Sequence, residues 1–137
     1  MKQVFADTGY WIAILNPKDE LHKKAMEVSR NLGQAVIVTS EVVLTELANY
    51  FADRGVSFRE KASAVIESIR KNPNARLIPQ TSLQFQSGAA MYRRYADKEW
   101  SLTDCTSIET MREQRINEVL AYDQHFRQAG LMPLLRD

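Results

Sequence analysis

"QVFADTGYWIAIL", residues 3–15, places a short β-type run directly before a helical segment. Val4 and Phe5 favour a strand, Asp7 ends it, and the residues from Thr8 onward favour a short helix that stops at the turn pair Asn16-Pro17. Similar short apolar runs alternate with longer helical patterns along the rest of the chain. This alternation predicts an α/β protein, a three-layer αβα sandwich whose mostly parallel sheet is covered on both faces.

Capping residues predict where several of the intervening helices begin. Ser40 is placed as an N-cap, and three pairs have capping-box spacing: Ser57 with Glu60, Thr81 with Gln84, and Ser101 with Asp104. Gly55 favours the end of the helix that Ser40 starts. The further predicted strands are "AVIVT" (35–39), "ARLIP" (75–79), "EVLAY" (118–122) and "LMPLL" (131–135), the last at a sheet edge because of Pro133.

Bulk composition limits the classes of protein that this chain can belong to. Its 137 residues suit a single domain spanning 1–137. The net charge of +1 gives no strong overall field toward nucleic acid or anionic lipid. The single cysteine, Cys105, excludes an internal disulfide and suits a reducing compartment, and we see no signal peptide or membrane span. We therefore expect a cytoplasmic protein without a membrane partner.

Acidic residues stand where such folds bind ligands, beyond the carboxyl ends of the strands. Asp7 and Asp123 each follow a predicted strand, and Glu46 lies on the apolar side of its helix, where a free carboxylate is costly. Asp104 lies in the first turn of a predicted helix. The sequence alone does not show whether that turn lies at the same edge of the sheet as Asp7 and Asp123. Each residue also has a purely structural interpretation, helix capping for the three aspartates and an arginine ion pair for Glu46.

The set as a whole favours a metal site. Two carboxylates about 4 Å apart repel by on the order of 4 kcal/mol at an effective dielectric constant of about 20, so such clusters persist when a cation neutralises them. Oxygen ligands favour Mg²⁺ or Mn²⁺ over zinc. The chemistry that most often uses this arrangement is hydrolysis of phosphodiesters.

Four segments resemble the PIN-domain family, and in particular its VapC-type toxins. They are "FADTGYWIAIL" (5–15), "LTELAN" (44–49), "SLTDCTSIETM" (101–111) and "VLAYDQHFRQAGL" (119–131), in the family's order and spacing. The resemblance implies a sheet with strand order 3-2-1-4-5. It also implies a metal-dependent endoribonuclease that dimerises and is silenced by an antitoxin whose tail occupies an acidic groove.

The same resemblance assigns roles to individual residues. Asp7, Glu46, Asp104 and Asp123 match the family's acidic quartet, as catalytic residues and metal ligands. Asp7 and Asp104 are expected to bind the metal directly, and Glu46 and Asp123 to complete the site. Thr8 and Thr103 are expected to add hydroxyl contacts.

Other functions stay open from the sequence alone. A non-catalytic module whose acidic pocket holds a basic partner segment is the main alternative. A haloacid-dehalogenase-like phosphatase needs a second aspartate where Gly9 stands. A metal-free ribonuclease needs two converging histidines, and the chain has only His22 and His125, of which His125 follows Asp123 closely enough to contact substrate.

Overall fold

A central sheet organises residues 1–136, the part of the chain that this computed structural model describes. No helix in this part is both long enough and apolar enough to cross a membrane. The elements in chain order are β1 (Gln3–Ala6), α1 (Thr8–Leu15), α2 (His22–Asn31), β2 (Val36–Ser40), α3 (Glu41–Phe51), α4 (Val56–Lys71), β3 (Ala75–Ile78), α5 (Ser82–Arg94), α6 (Leu102–Gln114), β4 (Glu118–Leu120), α7 (Gln124–Gln128) and β5 (Met132–Pro133).

The strands of the described sheet are ordered β3-β2-β1-β4-β5, and each neighbouring pair is parallel. The chain builds outward from β1 through β2 to β3, then returns to place β4 on the other side of β1. The strand order therefore reverses between β1 and β4, where α/β folds bind ligands. The predicted order 3-2-1-4-5 is confirmed, and Pro133 lies on the edge strand as expected.

The pleat of β1 divides its side chains between two hydrophobic layers. Phe5 packs with residues of α5, α6 and α7, such as Met91 and Ile108, on one face. Val4 and Ala6 pack on the other face with residues of α1 and α2. The predicted three-layer sandwich is confirmed.

A third cluster places α3 beside α1. Leu44, Leu47 and Phe51 of α3 pack against α4 and against residues of α1. Trp11 of α1 contacts all three clusters, so it lies where the layers meet. This packing brings the middle of α3 close to the carboxyl end of β1.

The capping predictions had mixed outcomes. Ser40 and Thr81 each accept a capping hydrogen bond, from the backbone N–H groups of Val43 and Gln84. The capping box at Ser57 is wrong, because the N-cap of α4 is Gly55 and the helix already begins at Val56. Gly55 does not end α3, which stops at Phe51. Gly55 instead precedes α4 with φ +101°, a backbone conformation that glycine adopts without a Cβ clash. Because the chain turns at Gly55, the helix starts before Ser57.

Candidate metal centre and active site

An open cavity of about 650 Å³ lies at the carboxyl ends of β1 and β4. The predicted acidic residues Asp7, Glu46, Asp104 and Asp123 all line it. They come from four separate places: the ends of two strands, the middle of α3 and the first turn of α6. Because parallel strands end at the same edge of a sheet, this topology brings together carboxylates that are far apart in the sequence.

Asp7 is the most perturbed acid of the cavity. Its backbone N–H donates to the carbonyl of Leu120 at 3.2 Å, which ties the end of β1 to the end of β4. Its carboxylate makes no helix-capping hydrogen bond to α1 in the described structure, so capping does not explain it. Burial and then the charge of Asp104 raise the pKa of Asp7 to about 7, with smaller increases from Glu46 and Asp123.

Among the described residues, Glu46 has no arginine ion pair that would explain its position structurally. It lies half-buried on α3, between the fully buried side chains of Val43 and Leu47 and the cavity. Among the basic residues that the structure describes, none forms an ion pair with it. A half-buried carboxylate with no cation costs free energy unless a ligand compensates it.

Asp104 serves as a helix cap and a cavity residue at once. Its Oδ2 accepts the N–H of Ser101 at 3.0 Å, and its own N–H donates to the Ser101 hydroxyl at 3.0 Å, which completes the predicted capping box. The same Oδ2 lies 2.9 Å from Nδ1 of His125. The cap fixes the side-chain rotamer and leaves Oδ1 without a hydrogen-bond partner in residues 1–136.

His125 links two of the acids. Its Nδ1 lies 2.9 Å from Oδ2 of Asp104 and 3.1 Å from Oδ1 of Asp123. Asp123 is the N-cap of α7, and its Oδ1 also accepts the His125 backbone N–H at 3.0 Å. Ligand atoms of these three residues lie within 4.8 Å of one another, close enough to hold one metal ion. The spacing of His125, two residues after Asp123, is the sequence signal for this contact.

The two predicted hydroxyl groups have different environments. Thr8 lines the cavity, and its Oγ1 is buried without a hydrogen-bond partner in the described structure. An unpaired buried hydroxyl costs about 1–3 kcal/mol, so its position at the cavity wall fits a ligand or an ion-bound water. Thr103 is half-buried and is not among the described residues that line the cavity.

Comparison with known proteins identifies the fold family. Residues 4–131 match the family model of the PIN domain. The chain belongs to the PIN-domain family. The family resemblance drawn from the four sequence segments is thereby confirmed.

Two curated relatives and two solved structures are similar to the chain over most of its length. It is 27% identical over 129 residues to the "23S rRNA-specific endonuclease VapC20" of Mycobacterium tuberculosis, in strains CDC 1551 and H37Rv, which covers 94% of this chain and 95% of that protein. The crystal structure of VapC20, described as a "Sarcin-Ricin loop cleaving toxin", matches with a TM-score of 0.83 at 27% identity, over 94% of this chain and 96% of that one. The structure of FitAcB from Neisseria gonorrhoeae shares the fold, with a TM-score of 0.67, 19% identity and 95% coverage of both chains.

Two cavity residues of this PIN domain were missed by sequence reasoning. Arg136 and Tyr122 both line the cavity, and Nη1 of Arg136 donates to the Tyr122 carbonyl at 2.8 Å. Arg136 lies beyond the last strand, where no helical or strand pattern indicates its direction. Only the path of the chain after β5 places it beside the acidic residues.

Proposed function

We propose that this PIN domain is a metal-dependent endoribonuclease and the toxin of a toxin–antitoxin pair. The observation that carries the proposal is the convergence of Asp7, Glu46, Asp104 and Asp123 on one cavity at the reversal of strand order. Four carboxylates in one cavity repel one another, and the pKa of Asp7 is raised first by burial and then by the charge of its acidic neighbours. A bound cation offsets the repulsion and compensates the buried carboxylate for its lost hydration.

The ion that we propose is Mg²⁺ or Mn²⁺, because the acidic donors are oxygen atoms. Asp7 and Asp104 would hold it directly, and Glu46 and Asp123 would complete the site, directly or through water. The Thr8 hydroxyl and Oδ1 of Asp104, which have no hydrogen-bond partner within residues 1–136, fit this assignment. When bound, such an ion lowers the pKa of an attacking water and offsets the charge of the phosphodiester.

The chain itself would orient the acids before substrate arrives. Ser101 holds Asp104 through the capping box, and the N-terminal end of α6 favours its negative charge. The imidazole of His125, between Asp104 and Asp123, limits the rotation of both carboxylates. Such supporting contacts to metal ligands commonly contribute about 10-fold to 100-fold in metal affinity or activity.

The substrate that we propose is RNA, with a ribosomal loop as the first candidate. VapC20 carries the description of a 23S rRNA-specific endonuclease, and the chain matches it over nearly its full length. Because structured RNA is recognised largely in exposed loops, a sarcin–ricin-loop hairpin is a suitable first probe.

Two protein partners belong to this proposal. An antitoxin segment bearing arginine would complement the acidic cavity and silence the enzyme. A homodimer is supported by exposed apolar side chains on α5: Phe85 and Tyr92, seven residues apart on one side of the helix, are each 55% exposed. A cytoplasmic location follows from the proposed RNA substrate.

The deciding experiment compares RNA cleavage by the wild type and by Asp104→Asn, with Mn²⁺, with Mg²⁺ and with EDTA. Asparagine keeps an oxygen that accepts the Ser101 N–H, so the cap and the fold should survive while the charge is lost. We expect cleavage to fall about 100-fold or more, because a weaker hold on the ion loses several kcal/mol of transition-state stabilisation. Asp53→Asn, at an exposed position outside the described cavity lining, is the matched control and should keep full activity.

The alternative of a non-catalytic binding module predicts a different pattern. Full activity of Asp104→Asn, or cleavage that persists in EDTA, would contradict the metal-dependent nuclease. A module that only holds a basic segment would neither cleave RNA nor be stabilised by Mn²⁺. A specific site gains about 2.7 kcal/mol of stability when the ion is at 100 times its Kd, which thermal unfolding detects easily.

A further inference from the structure

One basic side chain enters the acidic cavity. Of the described residues that line it, Arg136 alone is basic. Its backbone position is fixed by Leu135, whose N–H donates to the carbonyl of Ala121 at 3.0 Å and whose side chain is buried in the core. Arg136 is therefore held next to the end of β4.

Two contacts hold the guanidinium group over Tyr122. Nη1 donates to the Tyr122 carbonyl at 2.8 Å, and the guanidinium carbon lies 4.6 Å from the centre of the Tyr122 ring. Arg136 forms no ion pair with a carboxylate of residues 1–136, although acids line the same cavity. Its remaining N–H groups have no hydrogen-bond partner in the described chain. The charge is thus positioned by neutral groups and stays available to an anion.

We propose that Arg136 binds a phosphate of the RNA strand next to the phosphate that is cleaved, and that Tyr122 is the positioning residue that aims the guanidinium. This inference rests on the proposed ribonuclease function and adds a substrate-binding residue to it. A guanidinium group donates two parallel hydrogen bonds to a phosphate, a geometry that lysine does not reproduce.

The electrostatics of the cavity favour this role. The acidic side chains attract a metal ion and repel the neighbouring phosphates of an incoming RNA strand. A fixed cation at the cavity wall offsets that repulsion for one flanking phosphate and sets the register of the strand. Tyr122 is 49% exposed and lines the cavity, so the Arg136–Tyr122 pair is accessible from the cavity opening.

The chain contains a matched control for this pair. Nε of Arg54 donates to the carbonyl of Tyr50 at 2.9 Å, and its guanidinium carbon lies 4.1 Å from the Tyr50 ring. The chemistry is the same as at Arg136, but neither residue is among those described as lining the cavity. Arg54→Gln therefore reports the structural cost of losing such a pair without a change in the cavity.

The test measures kcat and KM on a labelled sarcin–ricin-loop hairpin RNA with Mn²⁺ at several NaCl concentrations. For Arg136→Gln we expect kcat/KM to fall about 10-fold to 100-fold, mainly through KM, because a charge-assisted hydrogen bond is lost. The slope of log(kcat/KM) against log[NaCl] should become shallower by about 0.7, the loss of one phosphate contact.

Two further variants separate charge from geometry. Arg136→Lys should keep the salt slope of the wild type while recovering only part of the KM loss. Tyr122→Leu should raise KM by about 2-fold to 5-fold, since the backbone carbonyl still holds the guanidinium after the ring contact is lost. Arg54→Gln should leave KM and the salt slope unchanged.

The outcomes distinguish this inference from the proposed function. Unchanged KM and salt slope in Arg136→Gln, with or without a lower melting temperature, would overturn it and make Arg136 a structural clamp. If the wild type does not cleave the hairpin, fluorescence anisotropy of the same RNA compares its binding to the wild type and to Arg136→Gln. Weaker binding by Arg136→Gln then supports the inference although the nuclease proposal has failed, and equal or absent binding overturns it.

Discussion

Replacing Asp7 with asparagine should stabilise the metal-free protein at pH 8 and have much less effect near pH 4. The pKa of Asp7 rises from 3.8 to about 7 on folding, because the carboxyl group is buried and lies near Asp104, Glu46 and Asp123. Between these two values the folded chain keeps a proton that the unfolded chain has released. Stability therefore falls as the pH rises through this window, and the loss is complete above about pH 7.

The size of the effect follows from the two pKa values. A difference of about three pH units corresponds to about 4 kcal/mol, and relaxation of the carboxylate toward the open cavity reduces it, so we expect about 2–4 kcal/mol. Asparagine has nearly the same shape and carries no charge at any pH. The stability difference between Asp7→Asn and the wild type should therefore grow by that amount between pH 4 and pH 8.

Urea unfolding in EDTA at pH 4, 6 and 8 measures this difference directly. Asp53→Asn serves as the control, and its stability relative to the wild type should change little with pH. Comparing the change with pH, rather than the absolute values, removes intrinsic differences between the two side chains. The reasoning would be refuted by a stability difference between Asp7→Asn and the wild type that stays constant from pH 4 to pH 8. It would also be refuted if the variant were less stable than the wild type only at pH 8.

Three further predictions test other parts of the structure. The stabilisation of the wild type by Mn²⁺ should be larger at pH 8 than at pH 5.5, since a cation must displace the proton of Asp7; equal melting-temperature shifts would argue against Asp7 as a ligand. Asp104→Ala should lose about 1 kcal/mol more stability in urea than Asp104→Asn, because only alanine removes the cap acceptor. Gly88→Ala should destabilise the fold by about 1–3 kcal/mol, since its Cβ would meet Oγ1 of Thr106 at 2.5 Å where α5 packs on α6. Thr106→Ala in the same chain should recover part of that loss in thermal unfolding, and no recovery would show that the contact is not the cause.

Local sequence patterns were sufficient to predict most helices and strands and to single out the acidic residues. Strand β1, helix α1 and the capping box at Ser101 follow from short-range preferences, because β propensity, helix stops and caps depend on residues within one or two turns. The error at Ser57 has the same origin. The pattern S-x-x-E satisfied the local rule, but the conformation of Gly55 started α4 ahead of it.

The sequence by itself determined which residues are acidic, which strands they follow and, through family resemblance, the order of the sheet. Residue patterns alone left open whether the first turn of α6 lies at the same edge of the sheet as Asp7, and only the family resemblance implied that Asp104 joins it. The tertiary structure shows both residues lining one cavity. The contacts of His125 with two acids and of Arg136 with Tyr122 were likewise decided by tertiary structure. Local sequence controls backbone dihedral angles within a few residues, whereas these contacts depend on how parallel strands bring distant chain segments to one edge of the sheet.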